Sequence, residues 1–455
     1  MSGSVDSKLE ELIKKLEPEY ASKTKKSREL YEKARKLLPA GVTYSLRYFH
    51  PYPLYVAKAR GTRVWDVDGN EYVDFWMGHG VHLLGHLPEV VVSAVKEALE
   101  VGTHVGLENP YVLEYIELLT KTVPGLEEVR FTNSGTEANM YAVRLARAYT
   151  KRKYIVKMEG GWHGSYDPLH VAVSYPYRVP ETAGVPEEAF KYTIAVPFNN
   201  LEALEKALKN HEVAAVILEP VMGAAGCIEP EEGYLREVKR LTSEHGALLI
   251  FDEVITGFRL APGGAQEYYG VKADLVVMGK ALSGGVGSVG AFGGSREVMD
   301  LLNHTKKAPG ELVFHGGTYV ANLVAVAAGR AMLSYLVSNR RLYDESNSLW
   351  KWFRKKVDDA CMEMGVECWT TGDGSLTGLH FTKKRPRSAR EAFEERWSTN
   401  ATKALHLYSR VHGVIYMSER SAHYLPSLIH GKGEVEKLLE VIVGFLEELR
   451  RLLKG

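Results

Sequence analysis

The sequence predicts an α/β protein: a large domain on a mostly parallel sheet flanked by helices, joined to a smaller α+β domain. Three observations predict it. Between about Phe75 and Gly329, short apolar runs alternate with helical stretches; several of these runs end in turns rich in glycine, hydroxyl or acidic residues; beyond Gly329, helical periodicity dominates, with only short strand-like fragments. Runs that are apolar on both faces belong to buried parallel strands covered by helices. At 455 residues the chain is also too long for one small core,.

In chain order, Leu9 to about Leu38 reads as helix, with apolar residues spaced along a charged background, and Pro39-Ala40-Gly41 breaks it,. Leu54–Ala57, Thr62–Asp66 and Tyr72–Asp74 read as strands around an Asp68-Gly69 turn,. The buried runs follow: Val129–Phe131, Tyr154–Val156, Ala214–Leu218, Ala247–Phe251, Leu275–Met278 and a strand at Ala291–Gly294. Leu376–Phe381 and Gly413–Tyr416 read as strands of the smaller domain. The expected segments are 1–75, an N-terminal helix and strands that pack with the small domain, then 76–329, the large domain, and 330–455, the C-terminal small domain. Lys383–Arg387 is basic but carries Pro386, and reads as a solvated loop,.

Composition excludes several function classes. Lys+Arg and Asp+Glu both number 57, so no basic excess points to nucleic acid or a membrane surface,. No uncharged apolar run approaches the ~20 residues of a membrane helix. The N-terminus shows no secretory leader, and three cysteines, Cys227, Cys361 and Cys368, have neither metal spacing nor the makings of a disulfide framework,. The expectation is a cytoplasmic protein with reduced cysteines. Gln266 is the sole glutamine, a composition associated with hot habitats,.

In a parallel sheet, ligands bind beyond the carboxyl ends of the strands. After Val129–Phe131 comes Thr132-Asn133-Ser134-Gly135-Thr136-Glu137-Ala138, opening a helix. Small residues at a helix N-terminus leave N–H groups and the positive dipole end for an anion such as phosphate, although Ser134 or Thr136 alone also reads as an ordinary N-cap,. After Ala247–Phe251 comes Asp252, an acid that needs partners where it is poorly solvated. After Leu275–Met278 comes Gly279-Lys280; a partly buried lysine there has the lowered pKa and free amine of Schiff-base chemistry. Glu159-Gly160-Gly161-Trp162-His163-Gly164 adds an aromatic beside a flexible turn. A phosphate anchor, a buried acid, a lysine and a flat ring are together what pyridoxal 5'-phosphate (PLP) requires.

Asn133–Ala138, Phe251–Arg259 and Gly279-Lys280 resemble the class III aminotransferases of PLP fold type I, in particular the glutamate-1-semialdehyde aminomutase-like subgroup. The resemblance runs from Pro39 into the C-terminal domain. It implies a mostly parallel seven-stranded sheet and the following roles. Ser134, Gly135 and Thr136 bind the phosphate, and Asp252 pairs with the pyridinium. Val254 and Trp162 pack on opposite faces of the ring, with His163 also against the cofactor. Lys280 carries the cofactor and moves the proton, and Thr318 reaches the phosphate of a neighbouring subunit in a homodimer. On the substrate side, Arg47 stands where the aminomutases place an arginine for a carboxylate, with Trp76 and His79 beside it.

The departures from that pattern cluster around the substrate. His79 replaces a tryptophan, Ala224 an asparagine, Trp162 the usual tyrosine or phenylalanine, and Ser421 falls near a glutamate; Asn322 lacks its usual Gly-Asn-Pro context. The sequence therefore favours a transaminase moving an amino group between two molecules, with the aminomutase and an amino-acid racemase as alternatives. An oxidoreductase is disfavoured, because Gly285–Gly290 matches G-x-G-x-x-G but leads into a strand rather than a helix,. His79, His82 and His86 lack the spacing of a metal site,.

Overall fold

The computed structural model describes residues 2–454, and in it the apolar runs assemble into one seven-stranded sheet. Its order is Glu128–Thr132, Gly290–Gly294, Leu275–Met278, Leu248–Asp252, Val213–Leu218, Tyr154–Met158 and Thr193–Val196. Gly290–Gly294 runs antiparallel to both its neighbours, and all other pairs are parallel. Every residue of Val213–Leu218 is buried, as expected for a central strand covered on both faces,. The glycines of the antiparallel strand have a steric cause: a Cβ on Gly290 would lie 2.3 Å from the Ser134 carbonyl oxygen. One face of the sheet packs Ala142, Leu145 and Phe292, and the other Phe198, Leu204 and Val238.

The edge strand Thr193–Val196 is absent from the sequence reading; it is four residues long, and only Val196 is buried. The helix expected from Leu9 to Leu38 is two helices, Ser2–Lys23 and Lys25–Ala34. Thr24 leaves helical geometry at φ −128°, ψ 43°, while its Oγ1 donates to the Tyr20 carbonyl at 2.7 Å.

The chain divides into two compact units. One comprises Met1–Pro88, Asp344–Pro386 and Glu394–Gly455; the other comprises Glu89–Tyr343 and Arg387–Phe393 and holds the large sheet. The first has its own core, including Trp350, Phe353, Tyr424 and Phe445. It carries a four-stranded sheet ordered Val56–Arg60, Arg63–Asp66, Glu71–Asp74, Val414–Ile415, and a three-stranded sheet of Trp369–Thr371, Thr377–His380 and Ala422–Tyr424.

The structure corrects the expectation for the cysteines. Cys361 and Cys368 are joined in a disulfide with Cα atoms 5.9 Å apart, and Cys227 alone is free. Gly365, at φ +67°, ends the helix Arg341–Met364 and reverses the chain, which brings two cysteines seven residues apart within bonding reach,. Among the described residues, no helix is long and apolar enough to cross a membrane.

Candidate active site

The strand Glu128–Thr132 delivers the chain to the helix Gly135–Thr150 through Asn133 and Ser134. Ser134 is extended, its Oγ accepts the Glu137 N–H at 3.2 Å, and Glu137 Oε2 accepts the Asn133 N–H at 2.8 Å. That pair resembles a capping box, except that Glu137 reaches back to the N–H of Asn133, one residue before the N-cap Ser134,. It uses the Ser134 hydroxyl but leaves the first helical N–H groups, those of Gly135 and Thr136, without an intrahelical acceptor. The cap and the anion site are therefore compatible at this turn. Val254 packs on the turn so closely that a Cβ on Gly135 would lie 2.8 Å from its Cγ2, and a Cβ on Gly279 3.3 Å from its Cγ1.

Asp252 ends the strand Leu248–Asp252 and is buried. Its Oδ2 receives Asn139 Nδ2 at 2.8 Å and faces His163 Nδ1 at 2.7 Å, while Oδ1 accepts the Val254 N–H at 3.0 Å. A buried carboxyl group calls for hydrogen-bond partners of this kind. His163 is itself fully buried; desolvation lowers its pKa and the Asp252 carboxylate opposes that shift. The structure thus places His163 behind Asp252.

Lys280 follows Gly279 and sits at φ +48°, a left-handed conformation that a side-chain-bearing residue seldom adopts,. Desolvation lowers the pKa of its amine, against the carboxylates of Asp252 and Glu219. The Nζ makes no hydrogen bond among the described residues.

Sequence reasoning missed two charged residues of this region. Glu219, directly after the strand Val213–Leu218, is buried. Its Oε1 accepts the Trp162 N–H at 3.0 Å and its Oε2 those of Gly223 at 3.0 Å and Ala224 at 3.4 Å. Burial, then the Asp252 charge, pushes its carboxyl up to about 7. Lys157, inside the strand Tyr154–Met158, is wholly buried, and burial pushes its amine down to about 7. The missed signals were a lysine within an apolar strand and a glutamate directly after one.

Trp162 is half-buried and meets His170 edge-on, with ring centroids 5.2 Å apart and planes at 84°. Thr318 is exposed, in a loop where His315 Nε2 meets the Phe131 carbonyl oxygen at 2.9 Å. The remaining site candidates lie in the first unit. Exposed Arg47 donates to Thr43 Oγ1 at 3.0 Å. Trp76 stands edge-on to both Phe49 and His79, with centroids 5.1 and 4.9 Å away. His86 Nε2 lies 2.7 Å from Asp74 Oδ2, and among the described residues no group of three or more His, Cys, Asp or Glu is arranged to hold a metal.

The family model "Aminotransferase class-III" matches residues 44–446. The chain belongs to the class-III aminotransferases. It is accordingly a PLP-dependent enzyme. It is similar to the glutamate-1-semialdehyde 2,1-aminomutase of Archaeoglobus fulgidus, at 40% identity over 425 residues that cover 92% of this chain and 99% of that protein. Among solved structures, an omega-transaminase from Sphaerobacter thermophilus is 33% identical, with a TM-score of 0.86, covering 93% of this chain and 98% of that one. A glutamate-1-semialdehyde aminomutase from Pseudomonas aeruginosa PAO1 is 28% identical, with a TM-score of 0.88, covering 97% and 99%. The relatives therefore weigh toward internal amino transfer, the alternative in the sequence reading, over transfer between two molecules.

Proposed function

We propose that this class-III aminotransferase moves an amino group within one small amino-carbonyl acid, as the name glutamate-1-semialdehyde 2,1-aminomutase describes. The observation that carries this reading is the 40% identity to the Archaeoglobus fulgidus relative across 92% of the chain. The second reading, transfer between separate donor and acceptor molecules, is favoured by His79 and Ala224 in place of the aminomutase tryptophan and asparagine, and by the likeness to an omega-transaminase.

The residues fit PLP. Lys280 offers an amine with a lowered pKa and no competing hydrogen bond, Asp252 a carboxylate braced by three donors, and the Gly135 turn free N–H groups for a phosphate. When bound, PLP supplies an electron sink for negative charge on the substrate carbon. Asp252 would pair with the ring nitrogen, with His163 and Asn139 fixing the carboxylate plane. Ser134, Gly135 and Thr136 bind the phosphate, and Val254 and Trp162 bound the ring. Lys280 would hold and move the proton at the substrate carbon, a role that an amine with a lowered pKa suits,.

A homodimer is part of the same proposal. Thr318 is exposed, as a contact to a neighbour's phosphate requires, and Leu107, Phe314 and Tyr319 of the same unit are 83%, 75% and 60% exposed. Large apolar side chains left in water are commonly covered by a partner.

The test supplies glutamate 1-semialdehyde as the only substrate. Internal exchange of the C2 amine and C1 aldehyde yields 5-amino-4-oxopentanoate with no acceptor added, detectable by mass spectrometry. Turnover that requires an added keto acid, with labelled nitrogen passing to it, would replace this reading with the second.

A further inference from the structure

One peptide bond in this unit is held from both sides by buried charges of opposite sign. The carbonyl of Gly161 accepts Lys157 Nζ at 2.9 Å, and the N–H of Trp162 donates to Glu219 Oε1 at 3.0 Å. These are the two polar ends of a single planar unit, so fixing both fixes the plane and with it the position of the Trp162 Cα. Lys157 lies within one strand, where it pairs with Ile217 of the adjacent parallel strand, and Glu219 directly follows that second strand.

Each clamp residue has a second hold on the same surroundings. The Lys157 ammonium has three donors, and the other two go to the carbonyls of Leu169 at 2.9 Å and Val171 at 2.7 Å,. Those carbonyls flank His170, whose ring meets Trp162 edge-on. One buried cation thus secures the backbone beside both members of the Trp162–His170 pair. Glu219 spends its second oxygen on the N–H groups of Gly223 and Ala224, joining the turn after its own strand to the turn after the neighbouring one. Burying an ammonium and a carboxylate is expensive, and neutral side chains suffice for ordinary loop caps. Where they are ionised, these two groups give strong, directional hydrogen bonds to irregular backbone that no sheet ladder supports.

We propose that Lys157 and Glu219 are positioning residues that clamp the Gly161–Trp162 peptide and so hold the backbone of Trp162 in place against the cofactor. This rests on the reading that Trp162 packs on the PLP ring. Trp162 is bulkier than the usual tyrosine or phenylalanine, so a small rotation of its peptide displaces more ring surface.

The experiment uses the PLP-loaded enzyme and a readout other than turnover: quenching of tryptophan emission by the cofactor, together with the circular dichroism induced in the visible cofactor band. Trp162→Phe defines the share of quenching that belongs to Trp162. Glu219→Gln and Lys157→Met are then expected to cut that share at least twofold and weaken the induced band. The double variant is expected to do no more than the stronger single, because both act on one peptide. Wild-type quenching and an unchanged induced band in Glu219→Gln would overturn the clamp. Should Lys157→Met fail to fold, Glu219→Gln carries the test alone. If Trp162→Phe itself leaves quenching unaltered, the packing of Trp162 on the ring is wrong and the clamp falls with it, a result distinct from a clamp that fails while Trp162 responds.

Discussion

His163 Nδ1 lies 2.7 Å from Asp252 Oδ2, and neither side chain is open to water. The same oxygen takes Asn139 Nδ2, so the carboxylate is anchored by two side chains at once. His163→Ala is expected to retain PLP but to lower turnover about 10-fold or more, since hydrogen bonds to a charged group are worth roughly 1.5–3 kcal/mol. Asp252→Ala removes the charge itself and is expected to cost orders of magnitude more while some cofactor remains bound. Steady-state rates alongside the cofactor absorbance per subunit check both; equal losses in the two variants would contradict the ranking.

Lys280 occupies a left-handed backbone position at φ +48°, and conformations of this kind cost about 1–3 kcal/mol where a side chain is present,. Removing the amine should therefore abolish chemistry without harming the fold. Lys280→Ala is expected to fall at least ~10²–10⁴-fold in rate, the scale of a lost proton-transfer group, while its melting temperature matches or exceeds that of the wild type. Lys280→Gly relieves the strain and is expected to melt higher still. A Lys280→Ala variant with substantial turnover would remove this residue from the centre of the mechanism.

These residues were legible in the sequence because each follows a strand that is apolar on both faces, where a polar side chain has few reasons to stand. The antiparallel strand at Ala291–Gly294 was equally legible, from its place after the lysine turn. Lys157 was not, because a lysine inside Tyr154–Met158 reads as the point where an apolar run stops, and its three carbonyl partners lie in an irregular loop with no sequence pattern. Glu219 was missed because its partners are backbone N–H groups, which any sequence supplies. The edge strand Thr193–Val196 escaped because three of its four residues are only partly buried.

The buried charges give stability a pH dependence of defined sign. The Glu219 carboxyl rises from 4.5 in the unfolded chain to about 7 when folded, because burial disfavours its charged form. The folded state then binds the extra proton between those values, so this group withdraws stability as pH climbs from 4.5 to 7. The full penalty, on the order of 3 kcal/mol, is present above that window. Lys157 acts oppositely: its amine falls from 10.5 to about 7, so its penalty is complete below 7 and is relieved as pH rises toward 10.5,. Glu219→Gln cannot ionise. Relative to the wild type, it is expected to gain stability between pH 4.5 and 7, read from melting temperatures across that range. A constant difference between the two proteins would contradict the assignment.

Gly164 closes the Trp162 turn over the phosphate-side helix. It sits at φ +82°, and a Cβ there would lie 2.1 Å from Thr136 Oγ1 and 2.7 Å from Thr136 Cα. The backbone clash cannot be relieved by rotating a side chain, so Gly164→Ala is expected to push Thr136 out of place. Overpacking of this kind costs about 1–3 kcal/mol, with the loss concentrated at the cofactor. The fraction of subunits that retain PLP after dialysis is expected to drop several-fold, whereas Gly270→Ala, with no atom within 4 Å of its Cβ, is expected to keep it.

The Cys361–Cys368 bond closes a short loop, with a sequence separation of seven, between the end of the helix Arg341–Met364 and the strand Trp369–Thr371. A loop that short removes little chain entropy from the unfolded state, about 2 kcal/mol on the entropic account. Both cysteines are almost completely buried, at 1% and 2% exposure, so reductant reaches the bond only after the helix end opens. Two consequences follow. Cys361→Ser is expected to lower the melting temperature by a few degrees, the scale of a ~2 kcal/mol change in a protein of this size. The native protein is also expected to resist thiol labelling in mild reductant, yet release two thiols once unfolded in it. Rapid labelling of the folded protein without reductant would show the pair to be free thiols, and would restore the reduced state expected from cysteine spacing alone.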